Sequence, residues 1–379
     1  MRIPFLILLC LILSNTSPAR TWFVEKDGSG DYTEIQEAVD ASADGDTIRI
    51  GPGRFDDLAH LGYPGDDSTG VINLIGRTLT VIGSGESTII GPEEMGEVWA
   101  APHSYGAVTT DYSNPIHLEA LRFEHLTFAT LMGGSATMED LTVSECWAGL
   151  YVRSGGGGDL RNCRIHDCLF FSIIASVSVH GYLIDEVLVT NSDGIDIDGS
   201  SSDITIRNST FTDNEIGIQY AANSTGTIQN CTVTGGRIGI NITNGSVVTI
   251  EDCEMRPALT WGLTVQNGSS VYGTRNVIHP GTVGPTIDLC ASNISMSESH
   301  IMHGTGNSLE IWCTYNPSLP WFIDLRNNYW GTAEADSIAS WISIVDDPGA
   351  LEYLQYEPFH DSPVSTERRS MGEMKALFR

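Results

Sequence analysis

From Met138 onward the apolar positions of the chain return in one fixed phrase. It runs Met138–Val143, Leu160–Ile165, Ile184–Val189, Ile206–Phe211, Ile228–Val233 and Ile250–Met255, and continues more loosely at Val277 and Ile301. From Val143 the closing hydrophobe advances by 22, 24, 22, 22, 22, 22 and 24 residues. Within each phrase apolar and polar residues alternate, which is the period of a half-buried strand. A second short strand follows at Gly149-Leu150, Gly194-Ile195, Gly217-Ile218, Gly239-Ile240 and Gly262-Leu263. One such unit cannot bury its own apolar side. Stacked at the ordinary inter-strand spacing of about 4.8 Å, successive units share a core and satisfy each other's backbone. The pattern therefore predicts an all-β fold, a single-stranded right-handed parallel β-helix with coils of about 22 residues, most regular over 118–330.

A solenoid needs covered ends. At the front, Trp22–Val24 reads as a strand, and Thr33 with Gln36 forms a capping box for a helix reaching Ala41. Ile35, Ala38 and Val39 give that helix an apolar face to lay on the core. The first coils occupy the rest of 20–117, interrupted by an insertion over 92–115. At the back, 331–360 forms a C-terminal cap with a short helix over 333–342, and 361–379 reads as a mobile tail. Asn162, Asn208, Asn230 and Asp252 share one column near a bend, where such side chains bond locally to backbone. Cys163, Cys231 and Cys253 share the next. A Cys231–Cys253 disulfide and a packed column of thiols are both open readings.

Residues 1–19 combine Arg2, an apolar run and the small residues Ser17 and Ala19, the pattern of a secretory signal peptide. The protein is thus expected to be secreted, periplasmic or at the cell surface, with no transmembrane segment after cleavage. A formal net charge of −29 excludes nucleic acid as a natural partner. It suits Ca²⁺ or a neutral ligand, whereas an anionic polymer would need a local basic spot. Cys146, Cys163, Cys168, Cys231, Cys253, Cys290 and Cys313 show no CxxC spacing, so zinc is disfavoured.

The segment from Val24 through Gly53, with Asp27–Gly30, Ile35–Ala38 and Gly45–Thr47, resembles the opening segment of pectin-lyase-like β-helix proteins. Asn327–Gly331 resembles the closing motif of secreted bacterial β-helix repeat proteins. That resemblance covers nearly all of the chain beyond the leader and is specific for architecture, since the superfamily spans lyases, hydrolases, esterases, epimerases and non-catalytic members. Asn191–Ile197 resembles a catalytic segment of polygalacturonase-type glycoside hydrolases, which implies that Asp193 is a catalytic carboxylate. Of the acid pair expected one coil later, only Asp213 of Asp213-Asn214 is present. The Gly-His-Gly and Arg-x-Lys motifs of those enzymes are absent.

Adding one coil at a time groups the candidate chemistry. Asp167, Asn191 and Asp213 fall in one column, and Leu169, Asp193, Glu215 and Arg237 in the next. Asp196, Gln219, Asn241, Thr264 and Asp288 form a third. Hydrolysis would use Asp193 as acid with Asp213 or Glu215 as base or electrostatic helper. A lyase would use Arg237 and Ca²⁺ held by Asp167, Asp193 and Glu215; otherwise no cofactor is expected. Polar columns are also simply how a solenoid faces water, and Glu215 beside Arg237 can be an ordinary surface ion pair. For sugar binding the candidates are Asp196, Trp261, Trp312, Tyr315 and Trp321, whose rings could stack on sugar faces or close gaps over the core. The resulting expectation is a monomeric protein that binds and cleaves a polysaccharide or cell-surface glycan, by glycosidase or lyase chemistry. The competing expectation is a non-catalytic adhesion scaffold.

Overall fold

The structure is a computed structural model that describes residues 18–61, 67–96, 103–109, 114–133, 135–155, 157–312, 322–345 and 353–363. Residues 1–17 of the expected leader and most of the expected tail lie outside these residues. The described chain winds through three sheets in turn, with 14 strands in the first, 11 in the second and 13 in the third. Pairing is parallel throughout the described strands except where Ala59–His60 meets Thr69–Asn73. About 12 turns of a parallel β-helix result.

The repeated phrases build the first two sheets. Met138, Leu160, Ile184, Ile206, Ile228 and Ile250 stack in register in the first sheet. Val143, Ile165, Val189, Phe211, Val233 and Met255 stack in the second. All twelve are buried in one continuous core. The third sheet closes it with Leu150, Ile173, Ile195, Ile218, Ile240, Leu263 and Ile287.

The corners explain the Asn/Asp columns. Between first and second sheets one residue per coil turns the chain in the left-handed region: Asp140, Asn162, Glu186, Asn208, Asn230 and Asp252, with φ between 50° and 56°. Asn and Asp adopt this region at less cost than other residues with a Cβ. Their side chains also bond between coils, as in the 2.8 Å bond from Asn230 Nδ2 to Asn208 Oδ1. Glu145, Asp167, Asn191 and Asp213 turn the second corner at φ 51–59°, and Gly235 takes the next place at 70°.

Helix α1 (Ile35–Ala41) buries Ile35, Ala38 and Val39 against the core as expected. Its capping box does not form. Glu34 holds the N-cap position without a side-chain bond, and Gln36 Oε1 instead accepts a 2.8 Å bond from the backbone N–H of Asn73. A second helix, α2 (Ala335–Ser340), lies inside the segment expected to be helical. Within the segment read as an insertion, Ser104–Thr109 is itself a strand of the third sheet. The core position after Met255 is Ile278, not Val277. The Arg256-to-Trp261 connection is one residue longer than Thr234-to-Ile238, so the parity of the next strand flips. Cys163, Cys231 and Cys253 are buried free thiols. Those of Cys231 and Cys253 donate to the carbonyls of Gln229 at 3.3 Å and Glu251 at 3.1 Å, so the packed column holds and the disulfide does not.

Phe211 fills the middle of the second sheet's core column with no exposed surface. Phe211→Ala is expected to lower the unfolding free energy by about 3–5 kcal/mol, whereas Thr212→Ala, on the outer face, should change it by no more than about 0.5 kcal/mol. Guanidinium unfolding followed by circular dichroism would show both, and equal midpoints would mean that this layer is not packed.

Candidate active face on the third sheet

Parallel register turns the outer face of the third sheet into continuous side-chain columns. One runs Leu131, Tyr151, Ile174, Asp196, Gln219, Asn241, Thr264, Asp288 and Glu310. The column from Asp196 to Asp288 was therefore legible by adding coil lengths. Its polar half is a hydrogen-bonded ladder: Gln219 Nε2 donates to Asp196 Oδ1 at 3.0 Å, Asn241 Nδ2 to Gln219 Oε1 at 2.7 Å, and Thr264 Oγ1 to Asn241 Oδ1 at 2.5 Å. Burial raises the carboxyl of Asp196; the Gln219 bond opposes this and the charge of Asp198 adds to it, and the net shift is upward. Burial, then Asp288, also raises Glu310.

The other half of this face is aromatic. Tyr105 and Phe128 stack with centroids 5.3 Å apart, and Phe128 stacks in turn with Tyr151 at 5.8 Å. Trp147 meets Phe128 edge-on at 5.3 Å and stacks with Phe170 at 5.0 Å. Phe170 packs edge-on against Phe171. Phe170 and its neighbour Leu169 are exposed. The array ends beside the acids: the backbone N–H of Asp193 lies 3.5 Å from the carbonyl of Phe170.

Asp193, Glu215 and Arg237 do come together at the corner leading into this face. The backbone N–H of Arg237 donates to the Glu215 carbonyl at 3.2 Å, and its guanidinium Nε donates to Glu215 Oε1. Both side chains are substantially exposed, which makes the pair worth no more than about 1 kcal/mol. Asp193 is half-buried. Burial raises its carboxyl, the negative charge of Glu215 raises it further, and Arg237 opposes both. Asp193 and Asp196 are three residues apart, so their α-carbons are at most about 11 Å apart.

Other expected residues are placed differently. Asp213 is a corner residue with φ 55°, and its Oδ1 lies over the α-carbon of Gly235, where any Cβ would come within 2.0 Å. It points along the solenoid axis and serves the turn. Asp167 is likewise at a corner, its oxygens taken by His166 Nδ1 and Asn191 Nδ2, both at 2.8 Å. These bonds, His166 first, hold it below the usual carboxylate range. With Glu215 engaged by Arg237, the expected Ca²⁺ set of Asp167, Asp193 and Glu215 does not assemble. No group of three or more His, Cys, Asp or Glu side chains among the described residues is placed for a metal ion. Trp261 is half-buried, with Gly284 backed against its indole nitrogen. Trp312 ends the strand Leu309–Trp312. Tyr315 and Trp321 lie outside the described residues.

These features define a class: a parallel β-helix with one outer face divided between stacked aromatic rings and carboxyls raised by burial. Residues 103–237 and 216–329 match the family described as right handed beta helix region, and the chain belongs to it. Solved structures give the same architecture. The catalytic unit of a thermostable GH87 α-1,3-glucanase from Streptomyces thermodiastaticus strain HF3-3 is 11% identical, with a TM-score of 0.56 over 86% of this chain. The chain spans 66% of that catalytic unit. The A-module of a mannuronan C-5 epimerase from Azotobacter vinelandii is 14% identical, with a TM-score of 0.55, covering 86% of this chain and 94% of the module. At such identities the likeness is one of fold. No curated protein matches the sequence.

Because Glu215 raises Asp193 and Arg237 lowers it, Glu215→Gln should move the Asp193 carboxyl down. It removes the repelling charge and frees the guanidinium, two changes of the same sign. A carboxyl-carbon NMR titration would read this directly, and an unchanged or upward-shifted Asp193 would break the electrostatic assignment.

Proposed function

We propose that the outer face of the third sheet binds a polysaccharide and hydrolyses it, with Asp193 and Asp196 as the carboxyl pair. The observation carrying this reading is the continuity between the aromatic array and two acids whose carboxyls burial raises from their ordinary value. Flat, partly exposed rings offer apolar area to a sugar face at low entropic cost. A carboxyl raised by burial holds its proton to higher pH than a solvated one and can give it to a departing glycosidic oxygen. The second carboxyl then steadies the developing positive charge or activates water. Glycan-acting neighbours of the same fold, the α-1,3-glucanase and the mannuronan epimerase, support a carbohydrate substrate. So does the expected export of the chain.

The acids on this face favour a neutral polymer over a polyuronate. Lyase chemistry through Arg237 and Ca²⁺ has less support, because Glu215 occupies the guanidinium.

The test is a panel of neutral and acidic polysaccharides, assayed for new reducing ends and for unsaturated products. Reducing ends without unsaturation are expected. Asp193→Asn and Asp196→Asn should each lower kcat by at least about 100-fold, and Phe170→Ala should act mainly on KM. Unsaturated products, or full turnover by both Asn variants, would remove the hydrolytic assignment. Binding without any cleavage would leave the adhesion scaffold.

A further inference from the structure

The outer face of the second sheet carries a feature that the proposed glycan-cleaving face does not use. A depression of about 420 Å³ lies there, lined in part by Glu86, Arg122, Thr142, Arg164, His166 and Leu188. Strand register sets Arg122 opposite Thr142 and Thr142 opposite Arg164. The two arginines thus stand two coils apart, about 10 Å at the backbone.

Their guanidiniums are less fully matched than those of several other arginines on the solenoid surface. Arg122 Nη2 is 2.7 Å from the buried carboxylate of Glu124, but Glu124 also receives Arg54. Glu124 is therefore matched twice over, and Arg122 retains a buried Nε with no hydrogen-bond partner among the described residues. Arg164 is exposed; its backbone N–H donates to the Leu141 carbonyl, and its guanidinium makes no hydrogen bond or ion pair among the described residues. By contrast Arg161, Arg207, Arg237, Arg275 and Arg326 are each paired with a carboxylate. Glu86 is the one acid lining the depression, held by Thr142 Oγ1 at 2.5 Å and 3.7 Å from Arg122. Among the lining residues the two arginines, Arg122 and Arg164, outnumber the single acid Glu86, on a chain of formal net charge −29. His166 lines the same wall, its ring fixed through Nδ1 by Asp167. Leu188, 40% exposed, adds apolar surface.

We infer that this depression is a second glycan site, separate from the third-sheet face, which takes a sugar bearing a carboxylate or sulfate group on Arg164 and Arg122. Guanidinium donors suit the planar, bidentate recognition of such anions. The leucine and threonine side chains suit the ring that carries the group. The site gives an otherwise acidic protein a place to hold an acidic polymer while its third sheet works on a neutral one.

The test uses the full mature chain and isothermal titration with four probes. These are inorganic sulfate, a hexameric oligouronate, a sulfated oligosaccharide and a neutral oligosaccharide of equal length. Binding of the oligouronate or the sulfated probe, weakened by salt and about tenfold weaker in Arg164→Gln, is expected, and whichever binds identifies the anion. Glu86→Gln should tighten the same binding several-fold, and Asp196→Asn should leave it unchanged. The inference is overturned if neither acidic oligosaccharide binds, if the neutral one binds equally well, or if Arg164→Gln and Glu86→Gln are without effect. Because Asp196→Asn silences only the third-sheet chemistry, failure here and failure of the hydrolytic reading are told apart.

Discussion

Everything in this molecule depends on the backbone ladder between successive coils. A coil has no internal pairing to satisfy its own peptide groups, so each must present three strands at the height its neighbour requires. The corners carry the cost of that demand. At each, one residue turns through the left-handed region, and coil after coil supplies Asn or Asp where the turn allows it. Where a corner would leave backbone groups unmet inside, buried asparagines meet them. Asn214 accepts from the N–H of Ser192 and donates to the carbonyl of Val189. Asn276 does the same for Cys253 and Ile250, and Asn328 for Ser299 and Met296.

The ladder also dictates what a surface of this protein can be. Residues in register stand about 4.8 Å apart, close enough for rings to stack and for amides to pass hydrogen bonds from coil to coil. The third sheet uses both options on one face. Tyr105, Phe128 and Tyr151 stack with one another, and Asp196 to Thr264 form an amide-linked chain. The change of character falls between Ile174 and Asp196, paired neighbours in adjacent coils. There an apolar platform meets a partly desolvated acid, without any loop insertion being needed to build the junction.

The period made much of this legible before any coordinates. The inward columns, the Asp196-to-Asp288 column and the Glu215–Arg237 contact all follow from adding coil lengths. What addition could not supply was the conformation of the corners. Asp213 shares a spacing with catalytic candidates, yet a left-handed φ sends its carboxylate toward Gly235. The aromatic array escaped for a related reason. Leu118, Met138, Leu160 and Ile184 are 20, 22 and 24 residues apart, so no single period links Phe128, Tyr151 and Phe170. Even with each coil's own length, anchored on Met138, Leu160 and Ile184, Tyr151 projects onto Ile173 and Ile197, one residue away from the Ile174 and Asp196 that the third sheet pairs with it. The capping box failed because Gln36 finds a better partner in Asn73, a contact between distant parts of the chain.

Two aspartates show how coil neighbours divide inert charge from usable chemistry. Asp185 on the first sheet is more deeply buried by exposed area than Asp193 or Asp196. Burial pushes it up, but hydrogen bonds from Arg207 and Asn208, with the charges of Arg207 and Arg161, outweigh that and hold it below the ordinary range. Its proton is gone at neutral pH and its charge is spent in a ladder of arginines. Asp196 on the third sheet has Ile174 on one side and the neutral amide of Gln219 on the other. Burial there meets no compensating cation, and the acid keeps its proton longer. The same residue type, in the same kind of outward column, thus becomes structure or candidate catalyst according to what the next coil places 22 or 23 residues along the chain.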